Sequence, residues 1–186
     1  MKFLKYLIII FISLTTSIKA DSNKNLIKQL EDGGKLIFIR HAYAPGNGDP
    51  NNFNLDDCST QRNLSKEGRK QAQLIGVFFK ENKIKIDKVL SSEWCRCKDT
   101  AKFAFNNFET FEALNSFYST KFAKNEKRQI KDLKKYIKNW KSNKNLILVT
   151  HYVVISSMLN IAVSSGEIVV SDKNYKIIGS IETMWV

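Results

Sequence analysis

The 186-residue chain has little of what punctuates, cross-links or titrates a protein. It has two prolines and eight glycines, and no repeat, linker or low-complexity segment interrupts it, which excludes repeat arrays and strings of modules. Three cysteines permit one bridge and leave one thiol over. Two histidines, His41 and His151, are the only side chains that ordinarily change charge near neutral pH. No acidic residue precedes Asp21, and no apolar run approaches the roughly 20 residues of a comfortable membrane span.

What the beginning does hold is informative. MKFLKYLIIIFISLTTSIKA carries Lys2 and Lys5, an apolar stretch from Tyr6 to Leu14, then small and polar residues up to Ala20. That is the layout of a secretory signal peptide cleaved after Ala20, with a retained N-terminal anchor as the alternative. The expected mature chain, residues 21–186, is periplasmic, has no transmembrane segment and is long enough for one domain with a core. Without Lys2, Lys5 and Lys19 the formal charge of +12 falls to +9. The lysines scatter over NKNLIK, KENKIKIDK and KDLKKYIKNWKSNK without interleaved aromatics, which is the pattern of solvated helix faces. Nucleic acid is not an expected partner.

Strands and helices alternate. Lys35 to Arg40 reads as a strand, and residues 65–82 as a helix capped by Ser65, with Leu74, Val77 and Phe78 at helical spacing. Residues 87–92 form a second strand, Arg96 to Phe105 a second helix, and Phe108 to Leu114 a weaker strand. Asn125 to Lys141 is an amphipathic helix with Ile130, Leu133, Ile137 and Trp140 on one face. NLILVTH suits the middle of a parallel sheet, Val153 to Val163 an apolar helix, and the tail a hairpin turning near Asp172 to Asn174. The expectation is a three-layer α/β sandwich, with a mainly parallel central sheet, helices on both faces and a C-terminal hairpin.

Each histidine directly follows an apolar strand, in LIFIRH and LILVTH. In open parallel sheets ligands bind at the carboxyl ends of the strands, so Arg40, His41 and His151 are expected at one edge. The strand KVLSS leads to Arg96 at the same edge. Two guanidinium groups beside two imidazoles would repel a metal ion, so no metal and no organic cofactor is expected. The same arginines make a cradle for phosphate oxygens. An imidazole held against that phosphate can attack phosphorus, with the cations keeping its nitrogen unprotonated and offsetting transition-state charge.

LIFIRHA, RNLSKEGRKQAQLIG, VLSSEWCRCKDTA and LILVTHYVVI together resemble the histidine phosphatase superfamily, the phosphoglycerate mutase-like clan, in family order from about residue 35 to 163. The resemblance implies a metal-independent phosphomonoesterase. It makes His41 the phosphorylated nucleophile, Arg40 and Arg96 its phosphate ligands, and His151 the second histidine at the transferred group. Asn47 falls where many members carry a phosphate-contacting asparagine, although a turn residue between Gly46 and Gly48 is an equal reading. More narrowly, DCSTQRNLS, SSEWCRC and SGEIVV are similar to an exported branch that includes the lipopolysaccharide core heptose(II)-phosphate phosphatase. A phosphorylated small molecule or glycan is the implied partner.

One departure stands out. Many members carry a general acid in a Leu-x-Glu element, whereas this chain reads Leu114-Asn115-Ser116, with Ser116 in the carboxylate position. Glu112, Glu93, Asp57 and Asp49 are substitute candidates. Glu167 is less attractive because the preceding helix is expected to carry the chain away. In an exported protein Cys58 is expected to pair with Cys95 or Cys97, which lie too close to pair with each other. A catalytic cysteine is the rival reading, weakened because no dedicated base is evident beside one.

Overall fold

The structure is a computed structural model that describes residues 24–183. The expected signal segment, residues 1–20, lies outside the described residues.

The sheet is built around its most apolar strand. β4 (Asn145–Thr150) is buried along its whole length, between β1 (Leu36–Arg40) and β2 (Ile86–Ser91), both parallel to it. The two-residue β3 (Glu109–Thr110) extends the parallel side beyond β2. β5 (Ile168–Ser171) runs antiparallel beside β1, and β6 (Ile177–Ile181) pairs with β5 as the expected hairpin. The order β3-β2-β4-β1-β5-β6 is thus mixed and mostly parallel.

Period-two alternation sorts the strands into two cores. Leu36, Phe38, Leu146 and Leu148 face α5 (Glu126–Asn139), which follows the one-turn α4 (Thr120–Ala123), and α6 (Tyr152–Leu159), where they meet Leu133, Ile137, Val154 and Ile155. Ile37, Ile39, Ile147 and Val149 face the other way. There they pack on Leu26 and Leu30 of α1 (residues 24–32), Ile75 and Phe79 of α2 (Lys66–Glu81), and Ala101 of α3 (Cys95–Phe105). Burying one such side chain contributes about 1.5–3 kcal/mol, so the alternation fixes which helix covers which face. The expected three layers are present.

Two elements differ from expectation. The strand expected over Phe108 to Leu114 is only two residues long, because Phe111 N–H donates to Ser91 O and the chain then tightens into a 3₁₀ turn, Glu112–Leu114. The helix expected to reach Val163 ends at Leu159, because Asn160 takes the left-handed C-cap conformation. Its consequence reaches the site. Residues 161–167 turn back to β1, where Arg40 N–H donates to Glu167 O and Gly166 N–H donates to the carbonyls of Arg40 and His41. Among the described residues no helix is long and apolar enough to cross a membrane.

Candidate active site

β1 and β4 lie in register, Arg40 opposite Thr150, so the next residue of each strand leaves the sheet at the same point. Those residues are His41 and His151. His41 N–H donates to Thr150 O at 2.9 Å, and the two rings lie 5.5 Å apart, edge to face. Beside them Ser92 N–H donates to Val149 O, which sets the end of β2 level with the histidines and places Arg96 in the first turn of α3. The segment after His41 folds over this edge. Gly68, at the start of α2, allows its closest approach: a Cβ there would sit 2.0 Å from Tyr43 O. Ser65 caps that helix by accepting from Gly68 N–H, as expected.

The result is a cavity of about 490 Å³ lined by Arg40, His41, Arg62, Arg96 and His151, with Asn47, Asp49 and Ser116 among its polar walls. Phe53, Tyr118, Phe122 and Tyr152 belong to its apolar lining. His41 Nδ1 faces Ala42 O at 2.8 Å. A carbonyl can only accept, so Nδ1 carries the proton and Nε2 keeps its lone pair. Burial first, then the positive charge of Arg96, pushes the His41 pKa well below the usual imidazole range; the Ala42 bond opposes this, and Arg62 and Arg40 add smaller depressions. Burial is thus the larger cause, where the sequence had suggested the cations. His151 is pushed down in the same way, by burial first, then Arg96, then His41.

Arg62 was missed in the sequence as a site residue. Its Nε donates to Gly48 O at 2.8 Å, and Nη1 donates to Ala44 O, which aims a third guanidinium group into the cavity. The available signal was its place just before the α2 cap, inside RNLS. Arg40 Nη1 donates to Val163 O at 2.7 Å, and its guanidinium lies 5.6 Å from the centre of the Tyr152 ring. Arg40 Nε and Arg96 Nε are buried without a hydrogen-bond partner among the described residues. Asn47 lines the cavity and donates to Tyr118 Oη at 3.2 Å, between two glycines of positive φ.

The candidate carboxylates separate clearly. Asp49 reaches the cavity, but it is a bidentate partner of Arg96, at 2.8 and 3.1 Å, and also accepts from Arg62 N–H and Trp94 Nε1–H. Glu93 turns away to accept from Asn115 Nδ2. Glu112 pairs with Arg128 in solvent, and Asp57 caps an exposed 3₁₀ turn through Ser59. None of these last three lines the cavity. Glu167 returns close to Arg40 because α6 is short, yet its carboxylate accepts from Ser164 N–H and does not line the cavity.

Cys58 is bonded to Cys95, with Cα atoms 5.7 Å apart, tying the first loop to the residue before Arg96. Cys97 is free and buried. Its sulfur lies 3.4 Å from His151 Nε2, so an imidazole stands beside this cysteine, a neighbour the sequence does not show. Burial nevertheless pushes this thiol up to about 12, and it does not line the cavity. No group of three or more His, Cys, Asp or Glu side chains that could hold a metal ion is gathered among the described residues. What the cavity can hold is an oxyanion, between three guanidinium groups and an imidazole nitrogen with a free lone pair.

Residues 36–140, more than half of the chain, match the family model of the histidine phosphatase superfamily (branch 1). The chain belongs to that family. No curated protein sequence matches the chain. Among solved structures it is similar to phosphoglycerate mutase from Thermus thermophilus, at 14% identity and a TM-score of 0.56, covering 80% of this chain and 98% of that one. It is similar to the protein histidine phosphatase SixA complexed with tungstate, at 12% identity and a TM-score of 0.54, covering 80% and 97%. A mycobacterial glucosyl-3-phosphoglycerate phosphatase aligns at 12% identity and a TM-score of 0.55, covering 74% and 92%. At these identities the likeness establishes the fold.

Proposed function

We propose that this histidine phosphatase is an exported phosphomonoesterase that works through a phosphohistidine at His41. The observation that carries the reading is the free lone pair of a buried His41 Nε2 beside the guanidinium groups of Arg40, Arg62 and Arg96. The bond from Nε2 to phosphorus forms as the bond from phosphorus to the leaving oxygen breaks, and that oxygen takes up a proton. Water then attacks the phosphohistidine and frees phosphate and the imidazole. The arginines and His151 meet the phosphoryl oxygens and offset their charge. Phosphorylated envelope sugars, such as a lipopolysaccharide core heptose phosphate, are the substrates suggested by the signal-like N-terminus and the exported-branch motifs. The Cys58–Cys95 bridge supports an oxidising compartment. A phosphoprotein or broad small-molecule phosphatase would use the same chemistry.

A second reading has one observation in its favour. Among the described residues Asp49 is the only candidate carboxylate in the cavity, and it is held by four donors, so none of them offers a free carboxylic acid to the leaving oxygen. That arrangement would also suit a silent binder of phosphorylated ligands. Release of phosphate from p-nitrophenyl phosphate separates the two. The expected result is turnover that His41→Ala lowers by several orders of magnitude, with an acid-labile phosphoenzyme trapped in the native protein. Tight binding without turnover would establish the binder, and near-native turnover in His41→Ala would remove His41 as nucleophile. Peptide mapping and N-terminal sequencing of the exported protein test residues 1–20 as a cleaved signal.

A further inference from the structure

His151 has one nitrogen toward the cavity and one away from it. Nδ1 lies 3.5 Å from Arg96 Nη2, and both residues line the cavity. Nε2 points back at Ser92 Oγ, 2.9 Å away, and at Cys97, neither of which lines it. The Ser92 hydroxyl therefore decides the state of the ring, and its own proton is already committed. Asn115 Nδ2 donates to the Glu93 carboxylate, so its oxygen must face the other way. That oxygen accepts from Glu93 N–H at 2.9 Å and from Ser92 Oγ at 3.1 Å. With its proton given to Asn115, Ser92 Oγ can only accept from His151, as it does from Trp94 N–H.

We propose that Ser92 and Asn115 are positioning residues for His151: they hold it as the Nε2–H tautomer and leave Nδ1 as the nitrogen presented to the substrate's phosphoryl group. Two histidines 5.5 Å apart are thereby held in opposite tautomers, because the Ala42 carbonyl keeps the proton of His41 on Nδ1. In the free enzyme His151 Nδ1 accepts weakly from Arg96. To donate to a phosphoryl oxygen it must first gain a proton, so binding of a phosphate dianion draws one proton onto His151. The groups that face His151 and set the cost of that proton are Arg96 and Cys97 on α3, His41 and Arg40 after and on β1, and Arg62 with Asp49 above. Five of these six disfavour it or stay neutral; an arriving dianion reverses the balance. Asn115 occupies the middle of the Leu114-Asn115-Ser116 element and Glu93 was a candidate acid, so the departure from Leu-x-Glu coincides with this relay.

The inference rests on the phosphatase reading for its catalytic meaning, but the tautomer can be read without turnover. Histidine-labelled protein contains two imidazoles, and long-range ¹H–¹⁵N correlation distinguishes the two tautomers and the imidazolium. At pH 7.5 the expected spectrum shows one ring protonated on Nδ1 and one on Nε2, assigned with His41→Gln. Saturation with inorganic phosphate should convert only the Nε2–H ring to imidazolium. Ser92→Ala should give His151 mixed or reversed tautomers and lower kcat about 10- to 100-fold, with KM changed less than threefold. Both rings in the same tautomer in the native protein, or no change of His151 in Ser92→Ala or with phosphate, overturns the proposal. A phosphatase assay that fails while the opposed tautomers persist would count against the hydrolase reading alone.

Discussion

Asp49→Asn is the substitution on which the geometry makes its sharpest demand. The Asp49–Arg96 pair is almost fully withdrawn from water, with the two side chains 9% and 3% exposed. The amide keeps the shape of the carboxylate and removes its charge. It also turns an N–H₂ toward donors, since all four present partners of Asp49 are N–H groups. Removing one member of a buried pair leaves the other charge uncompensated, at a cost of about 3–5 kcal/mol. Arg40 and Arg62 stand in the same cavity and add repulsion, so the upper half of that range is expected. In a domain of this size the loss corresponds to roughly 8–20 °C in Tm. Urea unfolding at pH 7.5, with and without inorganic phosphate, is the assay. Phosphate supplies the missing anion, so at one fixed concentration it should stabilise Asp49→Asn more than the native protein; where that concentration is a hundredfold the Kd, the gain is about 2.7 kcal/mol. A loss under about 1 kcal/mol with a large fall in kcat would refute the reasoning and restore Asp49 as a general acid, since deleting an exposed or weakly held carboxylate costs little stability.

Three further outcomes concern the histidines and the cysteines. His41 and His151 are held neutral in the fold, burial first and Arg96 second, while the unfolded chain titrates near the ordinary value of about 6.5. Their contribution is complete above that pH and declines as pH falls below it, by about 1.4 kcal/mol per pH unit for each histidine; a double substitution to Gln that left the slope of ΔG between pH 6 and pH 5 unchanged would refute this. Reducing the Cys58–Cys95 bridge, which spans 37 residues, should lower stability by about 2–4 kcal/mol in Cys97→Ala protein, where exchange is impossible. In the native oxidised protein Cys97, pushed up to about 12, should resist iodoacetamide at pH 8 until the chain unfolds; rapid labelling of the folded state would contradict its buried position.

The elements with long apolar runs were readable because their periodicity is local. LIFIR and NLILVT declare strands, and the histidine that ends each declares an edge, which is enough to join His41 with His151. What was not readable depends on contacts far apart in sequence. Asp49 meets Arg96 across 47 residues, from a segment with no repeating pattern, so the sequence offers it as a substitute acid or a solvated surface carboxylate and does not show the pairing. Arg62 escaped for the same reason: it acts by folding the loop back on Ala44 and Gly48. The cysteines show the limit of spacing. Cys95 and Cys97 stand two apart in the first turn of a helix, where such positions point to nearly opposite sides. One turns out to Cys58 and the other in to His151, a choice made by how α3 rolls on the sheet. The overlong α6 is a subtler case, because apolar residues continue past Asn160 and only its left-handed φ stops the helix.

Arg96 gathers these threads. The bond at Cys95 fixes the backbone just before it, Asp49 holds both terminal nitrogens, and Nη1 also reaches Arg62 O at 3.4 Å. Arg40 and Arg62 stand beside it in the same cavity. Three guanidinium groups gathered at one edge of the sheet, next to two histidines held neutral, repel one another and cost stability. No packing reason explains that expense, since apolar side chains would fill the same space more stably. An oxyanion explains it: each oxygen accepts several hydrogen bonds, and its charge offsets the mutual repulsion of three guanidinium groups. The strand tips, the bridge and Asp49 thus act in one direction. They fix Arg96 at the cavity beside His41 and His151, so that the proposed phosphoryl ligand would meet donors already in place.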